Sequence, residues 1–477
     1  MSLLPLVGSD TQVPLLDGTT TTYANLDVAA SAPALRSVAD RVAEVLPWYA
    51  SVHRGAGYLS QVSTVLYEES RATVGAYVGA REDDVTVITR NTTDAVNLLA
   101  GCVPGRVLVL DIEHHANLLP WHRVEAGVTE RQRGNHEDRS RPRPYSGACA
   151  TDAGVTAVAG RETLAGTIDA LAGELARGGY ALVAITGASN VTGEALPVAE
   201  IVTLAHAHGA RVFVDGAQLL AHRHFSLAAT GADYVAFSGH KLYAPYGAGA
   251  LVGRRDWLDV GTPYLAGGGA VDDASHDSGS ERSGPAIVET TWQAAPARHE
   301  GGSPNVVGAA ALAAACTALG DLEAAELDRH EATLRGHLVA GLSALDGVDV
   351  LRLWPDSDEP VGVATFTVDG IEPGRVAAYL SAEHGLGVRD GRFCAQPLLK
   401  RLGLTGGAVR ASIGIGTSVG DVDRLLAGVR SLLAGDVRGD YVLVDGAWTL
   451  AEDPRPLVGP VGLTRLADTA GSCGAAV

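Results

Sequence analysis

Lysine is almost absent from this chain. Of the 36 lysine and arginine side chains in 477 residues, only Lys241 and Lys400 are lysines, which leaves 34 arginines. A guanidinium cannot realistically lose its proton, whereas a lysine amine can, and the free amine can condense with an aldehyde. A chain that has replaced lysine almost everywhere is expected to keep it where arginine cannot serve. Lys241 closes the stretch Phe237-Ser238-Gly239-His240-Lys241, just past the apolar run Tyr234-Val235-Ala236, so it sits at a strand end among small polar neighbours. Lys400 reads as a surface residue.

Other absences exclude whole classes. The five cysteines (Cys102, Cys149, Cys316, Cys394, Cys473) are odd in number and form no CxxC pair. That argues against a disulfide framework or a structural zinc site and predicts a reducing, cytoplasmic location. No run of about 18 apolar residues occurs, and Met1-Ser2-Leu3-Leu4-Pro5 lacks the basic start of a signal peptide, so no membrane partner is expected. The formal charge is −19 (36 basic against 55 acidic), which disfavours nucleic acid and anionic surfaces.

What is abundant is glycine, at 59, and apolar residues, at 46% with only 5% aromatic, as in an α/β protein packed with Ala, Val and Leu. The length predicts two domains. Strands are expected at Val85–Ile88, Arg106–Leu110, Tyr180–Thr186, Arg211–Val214, Tyr234–Phe237 and Ala250–Val252. A helix over Pro197–His208, stopped by Gly209, lies between two of them. Strand, helix, strand in repetition predicts a mainly parallel sheet between helices, which binds its ligand beyond the carboxyl ends of the strands. Asp111, Thr186, Asp215 and Ser238 all follow such strands.

The segment 1–22 reads as an N-terminal extension, 23–305 as a large cofactor-binding domain and 306–436 as a smaller C-terminal α+β domain that carries Cys394. The last segment, 437–477, reads as an appendage with a hairpin at Tyr441–Leu450 on an Asp-Gly turn. Glu130–Pro144 reads as an exposed insertion and Asp272–Gly284 as a mobile loop.

Several residues suit a lysine-bound aldehyde cofactor. Asp215 ends a strand 26 residues before Lys241 and could pair with a protonated ring nitrogen; alone, such an Asp is usually a cap or turn residue. Gln218, three residues on, could donate to a phenolate oxygen. Asn91-Thr92-Thr93-Asp94 precedes a helical pattern, where hydroxyls and free amides bind phosphate but also serve as ordinary caps. Ser238 and His240 add donors. His114 and His115 lack an HxxxH or cysteine partner, so no metal site is expected, and one imidazole stacking on a ring is the better reading.

The chain resembles the class V aminotransferase superfamily, and within it the cysteine desulfurases of the SUF-system type and the selenocysteine lyases. The matching stretches are Leu26-Asp27 with Ala29-Ala30-Ser31, His53-Arg54-Gly55, Asn91-Thr92-Thr93, Glu113 to Asn117 with Pro120-Trp121, Ser189-Asn190 with Gly193, Val214 to Gln218, and Phe237 to Tyr243. Gly267-Gly268-Gly269, Gly302 to Asn305, Arg389 to Cys394 with Pro397-Leu398, and Arg410-Ala411-Ser412 also match. The resemblance implies fold type I of the PLP-dependent transferases, with pyridoxal 5′-phosphate as cofactor. It also implies a homodimer with active sites at the subunit interface. Lys241 would bind the cofactor covalently, Asp215 would meet its ring nitrogen and His114 would stack on the ring. Asn190 and Gln218 would lie near its phenolate oxygen. Thr92, Thr93, Ser238 and His240 would hold the phosphate, with Ser303 reaching in from the neighbouring subunit. Arg410 would clamp the substrate carboxylate, with Arg389, Asn190, His53 and Arg54 completing the substrate site.

Cys394 decides the reaction the resemblance implies. It lies in the polar stretch Arg389-Asp390-Gly391-Arg392-Phe393-Cys394, whose arginines would favour a thiolate. L-Cysteine would be converted to L-alanine with a persulfide left on Cys394, for a small acceptor protein. Arg392-Phe393 stand where that branch usually has two histidines, and Gly187 replaces a histidine before Ser189-Asn190. The alternatives are another class V enzyme of specialised metabolism (a C–S lyase, selenocysteine lyase, epimerase or aminotransferase), or a cofactor-bound but inactive scaffold or sulfur-relay partner.

Overall fold

The computed structural model describes residues 2–53, 55–122, 154–276, 288–358 and 360–460. Its centre is a sheet of seven strands: β1 Asp84–Thr89, β2 Arg106–Leu110, β3 Val155–Val158, β4 Tyr180–Thr186, β5 Arg211–Asp215, β6 Tyr234–Ser238 and β7 Gly249–Arg254. The order across the sheet is β1-β7-β6-β5-β4-β2-β3. Only β7 runs against its neighbours, so the sheet is mainly parallel. The six expected strands are present within a residue or two; β3 carried no clear signal in the sequence.

Both faces of this sheet are buried, and the alternation of side chains divides them. Leu108, Leu110, Val183, Ile185, Val212, Val214, Val235 and Phe237 join one core cluster. Their neighbours Val107, Val109, Leu182, Ala184, Phe213 and Ala236 join another. A period of two with apolar residues on both sides is what a helix-covered parallel sheet requires. Helices Arg36–Val45 (α1), Tyr58–Tyr77 (α2) and Val198–Ala207 (α4, after α3 below) supply the first cluster. Gly209 follows α4 with φ of 76°, a left-handed stop. The helix α3, Thr92–Ala100, buries Ala95, Val96, Leu98 and Leu99 in the second.

The Ala/Leu-rich stretch after residue 306 forms two helices, Val306–Gly320 (α5) and Ala324–Ser343 (α6), turned by 87° at their junction. Ala311, Leu312, Ala315 and Leu319 of α5 pack into the first cluster, whereas Leu334, Leu338 and Leu342 of α6 belong to a separate core. That separate core holds a four-stranded antiparallel sheet, β8 Val348–Val350, β9 Val363–Val368, β10 Arg389–Gly391 and β11 Ala408–Ser412, in the order β8-β9-β11-β10. No single described helix is long and apolar enough to cross a membrane.

The expected hairpin is present: Tyr441–Val444 pairs with Ala447–Leu450 around Asp445 (φ 49°) and Gly446 (φ 81°). Two positive φ angles make the turn twist with the strands, which is why Asp-Gly serves. Glu383 anchors its base, accepting from the backbone of Arg438 and Gly439 and from the Tyr441 hydroxyl at 2.9–3.2 Å. Hydrogen bonds to a charged group contribute about 1.5–3 kcal/mol each.

The loop expected at Asp272–Gly284 is corrected where it is described. Val271–His276 is a strand paired with Val288–Trp292, whose β-branched residues supply the partner edge. The insertion expected at Glu130–Pro144 lies outside the described residues.

Candidate active site

The carboxyl ends of β2, β4, β5 and β6 and the N-terminus of α3 surround a cavity of about 350 Å³. Asn91, Thr92, Thr93, His114, Asn190, Asp215, Gln218, Ser238, His240, Lys241, Arg389, Phe393, Cys394 and Arg410 all line it. Sequence positions more than 300 residues apart therefore meet in one place.

Lys241 follows β6 by three residues. Its side chain is half-buried and lines the cavity. Burial pushes the amine down from 10.5 to about 8; the Asp215 carboxylate opposes the shift, Arg410 adds to it and Cys394 opposes it. Asp215 is 4% exposed, and Ala217 N donates to its Oδ1 at 3.0 Å. Burial raises its pKa above the ordinary carboxylate value, which that bond and the Lys241 charge only partly offset. A carboxylate so placed gains from any cation brought against it.

Across the cavity, Asn91 caps α3 by accepting from Asp94 N at 2.9 Å. Thr92 N and Oγ1 both lie 2.8 Å from Ser238 Oγ, which ties the helix start to the end of β6. This closeness needs Gly249 on β7, because a Cβ there would stand 2.5 Å from Phe237 O and 2.8 Å from Asn91 Cα. Free amides and hydroxyls at a helix start form an anion cradle. His114 is held neutral: burial, with the Lys241 charge, pushes its imidazole down to about 3, and its Nδ1 accepts from Ala116 N at 3.0 Å. A flat neutral ring in fixed orientation suits stacking.

The small sheet presents the second half of the cavity. Arg389 on β10 is directly opposite Arg410 on β11. Like charges opposed across a pair of strands repel, an arrangement that an incoming anion would relieve. Arg410, 3% exposed, donates through Nη1 to Asn190 O at 2.9 Å and through Nη2 to Asp27 Oδ1 at 3.1 Å. Its Nε is buried with no hydrogen-bond partner. Gln218 donates one amide hydrogen to Ala29 O at 2.8 Å, and Asn190 donates one to Phe393 O at 2.8 Å. An amide NH2 has a second hydrogen for a ligand.

Some expected residues are elsewhere. His53 does not line the cavity; its Nε2 meets Glu68 Oε1 at 2.8 Å. Ser303 is exposed and outside it, and Arg54 is outside the described residues. Arg392, expected beside the thiol, turns away to donate to Thr405 O at 3.1 Å. The cations lining the cavity with Cys394 are Lys241, Arg389 and Arg410.

Sequence reasoning missed Phe393 as a wall of the cavity, Asp27 as a partner of Arg410, and the state of Glu113. Glu113 is fully buried, takes Asn117 Nδ2 on Oε2 at 2.7 Å, and leaves Oε1 without a partner. Burial drives its carboxyl well above the ordinary range. The signal available was its place in the turn that carries His114, between a strand and a 3₁₀ turn.

The aminotransferase class-V family model matches residues 24–173 and 148–425. A cysteine desulfurase of Dickeya dadantii is 35% identical over 419 residues, covering 86% of this chain and 92% of that protein. A probable cysteine desulfurase of Halobacterium salinarum is 33% identical, covering 85% and 90%. Among solved structures, the cysteine desulfurase CsdA (S-sulfonic acid) from Escherichia coli aligns with a TM-score of 0.71 at 30% identity, over 86% of this chain and 95% of that one. The apo cysteine desulfurase of Thermococcus onnurineus NA1 aligns at 0.74 and 29% identity, over 91% and 100%.

Proposed function

We propose that this chain, which belongs to the class V aminotransferase family, is a cysteine desulfurase that uses pyridoxal 5′-phosphate to convert L-cysteine to L-alanine and leaves the sulfur as a persulfide on Cys394. The observation that carries this reading is the convergence of Lys241, Asp215, two opposed arginines and Cys394 on one cavity. The residues fit the cofactor. Asp215 offers a buried carboxylate for a ring cation, the start of α3 with Thr92, Thr93, Ser238 and His240 offers a phosphate cradle, and His114 offers a neutral flat ring. Asn190 and Gln218 each have an amide hydrogen to spare for a ring oxygen.

When bound, pyridoxal phosphate supplies an electron sink that makes the Cα hydrogen of an amino acid acidic and its Cβ–S bond breakable. Arg410 and Arg389 bind and orient the substrate carboxylate. Lys241, with its amine near neutrality, takes the proton from Cα and holds it over the cavity. The Cys394 thiolate attacks the substrate sulfur, so that an S–S bond forms as Cβ–S breaks. The electron pair of that bond leaves with the three-carbon fragment, which is protonated to alanine.

The chain is proposed to act as a homodimer. Leu46, Trp48, Tyr49, Tyr58 and Leu59 are large apolar side chains exposed on either side of His53, a surface suited to a second copy. Ser303 and His53 then belong to the site of the adjoining subunit. A small protein that accepts the persulfide sulfur completes the reading.

Product identity tests the reaction. Holoenzyme given L-cysteine and a reductant is expected to yield alanine and sulfide in equal amounts; pyruvate in place of alanine would overturn the reading in favour of a lyase. The amine of Lys241 gives a second expectation. Only the neutral amine condenses with an aldehyde, so uptake of pyridoxal phosphate by the cofactor-free chain should rise about tenfold per pH unit below 8 and level off above it. Borohydride trapping at successive pH values reads this directly. A rise continuing to pH 10 would mean an ordinary exposed lysine.

A further inference from the structure

Phe393 and Cys394 are consecutive residues with left-handed backbone, at φ of 51° and 52°. Such angles are uncommon for any residue with a side chain and are strained for a bulky one, so they persist only where surroundings enforce them. Three contacts do so here. Asn190 Nδ2 donates to the Phe393 carbonyl at 2.8 Å, and His115 N donates to the Cys394 carbonyl at 2.9 Å. The Phe393 ring, 5% exposed, lies 5.3 Å from the guanidinium carbon of Arg410.

Each anchor belongs to the machinery around the cavity. Asn190 and Arg410 line it, and His115 follows His114 in the same turn. Arg410 also holds the Asn190 carbonyl, so a single side chain fixes both the ring of Phe393 and the residue that grips its backbone. The guanidinium carbon lies over the ring, while Nε is left without a hydrogen-bond partner.

We propose that Phe393 is a positioning residue: its ring, seated on Arg410, holds the strained pair that points Cys394 into the cavity, and a carboxylate bound at the edge of Arg410 tightens that seat. The proposal rests on the reading of Arg410 as the carboxylate clamp. It deepens that reading by linking substrate recognition to placement of the thiol. An amino acid lacking a free α-carboxylate would leave the thiol loosely held, so the contact selects for free amino acids rather than peptides or amines.

The test is the rate at which iodoacetamide alkylates Cys394 in the holoenzyme, read by mass spectrometry of the peptide that carries it. Phe393→Tyr keeps the ring and is expected to match the wild type, both being slowed by added L-alanine. Phe393→Leu keeps most of the volume but not the ring, and is expected to react at least about fivefold faster, as for the loss of one cation–π contact, and to respond little to L-alanine. Its kcat for L-cysteine should fall while KM changes little. If Phe393→Leu fails to fold, Asn190→Ala removes the grip on the Phe393 carbonyl and carries the same expectation of faster alkylation. Wild-type rates in these variants, with unchanged protection by L-alanine, would overturn the proposal. The comparison without amino acid needs no turnover, so failure of the desulfurase reading would appear separately, as absence of alanine from L-cysteine.

Discussion

Lys241→Arg is expected to abolish both covalent cofactor attachment and turnover, by at least about 10³-fold, in a chain that otherwise has arginine at 34 of its 36 basic positions. The substitution keeps a positive charge near Asp215, so any effect of charge alone is preserved. What it removes is a group able to exist as a neutral amine. Burial brings the lysine amine down to about 8, within reach of neutral pH, whereas a guanidinium stays protonated even when buried. Borohydride treatment followed by intact mass should add the cofactor to the wild-type chain and leave Lys241→Arg unchanged. Lys241→Ala, which relieves the cavity of a buried charge, should behave the same way and guards against an effect of the larger side chain. Cofactor fixed to either variant would place the attachment elsewhere, with Lys400, on the short helix Gln396–Arg401, as the other lysine.

Cys394→Ala is expected to lose alanine and sulfide production by on the order of 10³-fold or more, as when a nucleophile is deleted from a working set, while retaining the cofactor. The two other described cysteines cannot substitute. Cys102 and Cys316 are 6% and 2% exposed; burial pushes the Cys102 thiol up to about 12, with Arg298 opposing it only in part, and pushes Cys316 higher still. Cys394 is partly exposed and shares the cavity with Lys241, Arg389 and Arg410. Cofactor spectra equal to wild type, together with lost product, would place the defect in sulfur transfer. Undiminished sulfide release would make the thiol a bystander and move the chemistry to the cofactor alone.

Much of the scaffold was legible because its signals are local. A buried parallel strand must be apolar on both faces, and Tyr180–Thr186 or Arg106–Leu110 read as such without any knowledge of neighbours. The Asp445-Gly446 turn and the Gly209 stop were legible for the same reason, since each depends on backbone preferences of one or two residues. β3 escaped because four residues at a sheet edge carry too little pattern. The paired strand at Val271–His276 escaped because acidic and small residues there are tolerated only through pairing with Val288–Trp292.

The chain by itself determined which chemistry was available: a rare lysine at a strand end, an acid one strand earlier, threonines at a helix start and a cysteine among arginines. These are properties of side-chain type and local spacing, and sequence contains both. Tertiary structure alone decided how the groups are shared. It turned Arg392 outward to Thr405, set Arg389 opposite Arg410, sealed Glu113 away from water, and placed Phe393 between Arg410 and the thiol. Each of these depends on how strands and turns fold back on one another, as where His115 N meets the Cys394 carbonyl, and on burial that no single segment can encode. Proton affinity and backbone strain are set by that surrounding low-dielectric, close-packed volume, and so they appear only when the chain is folded.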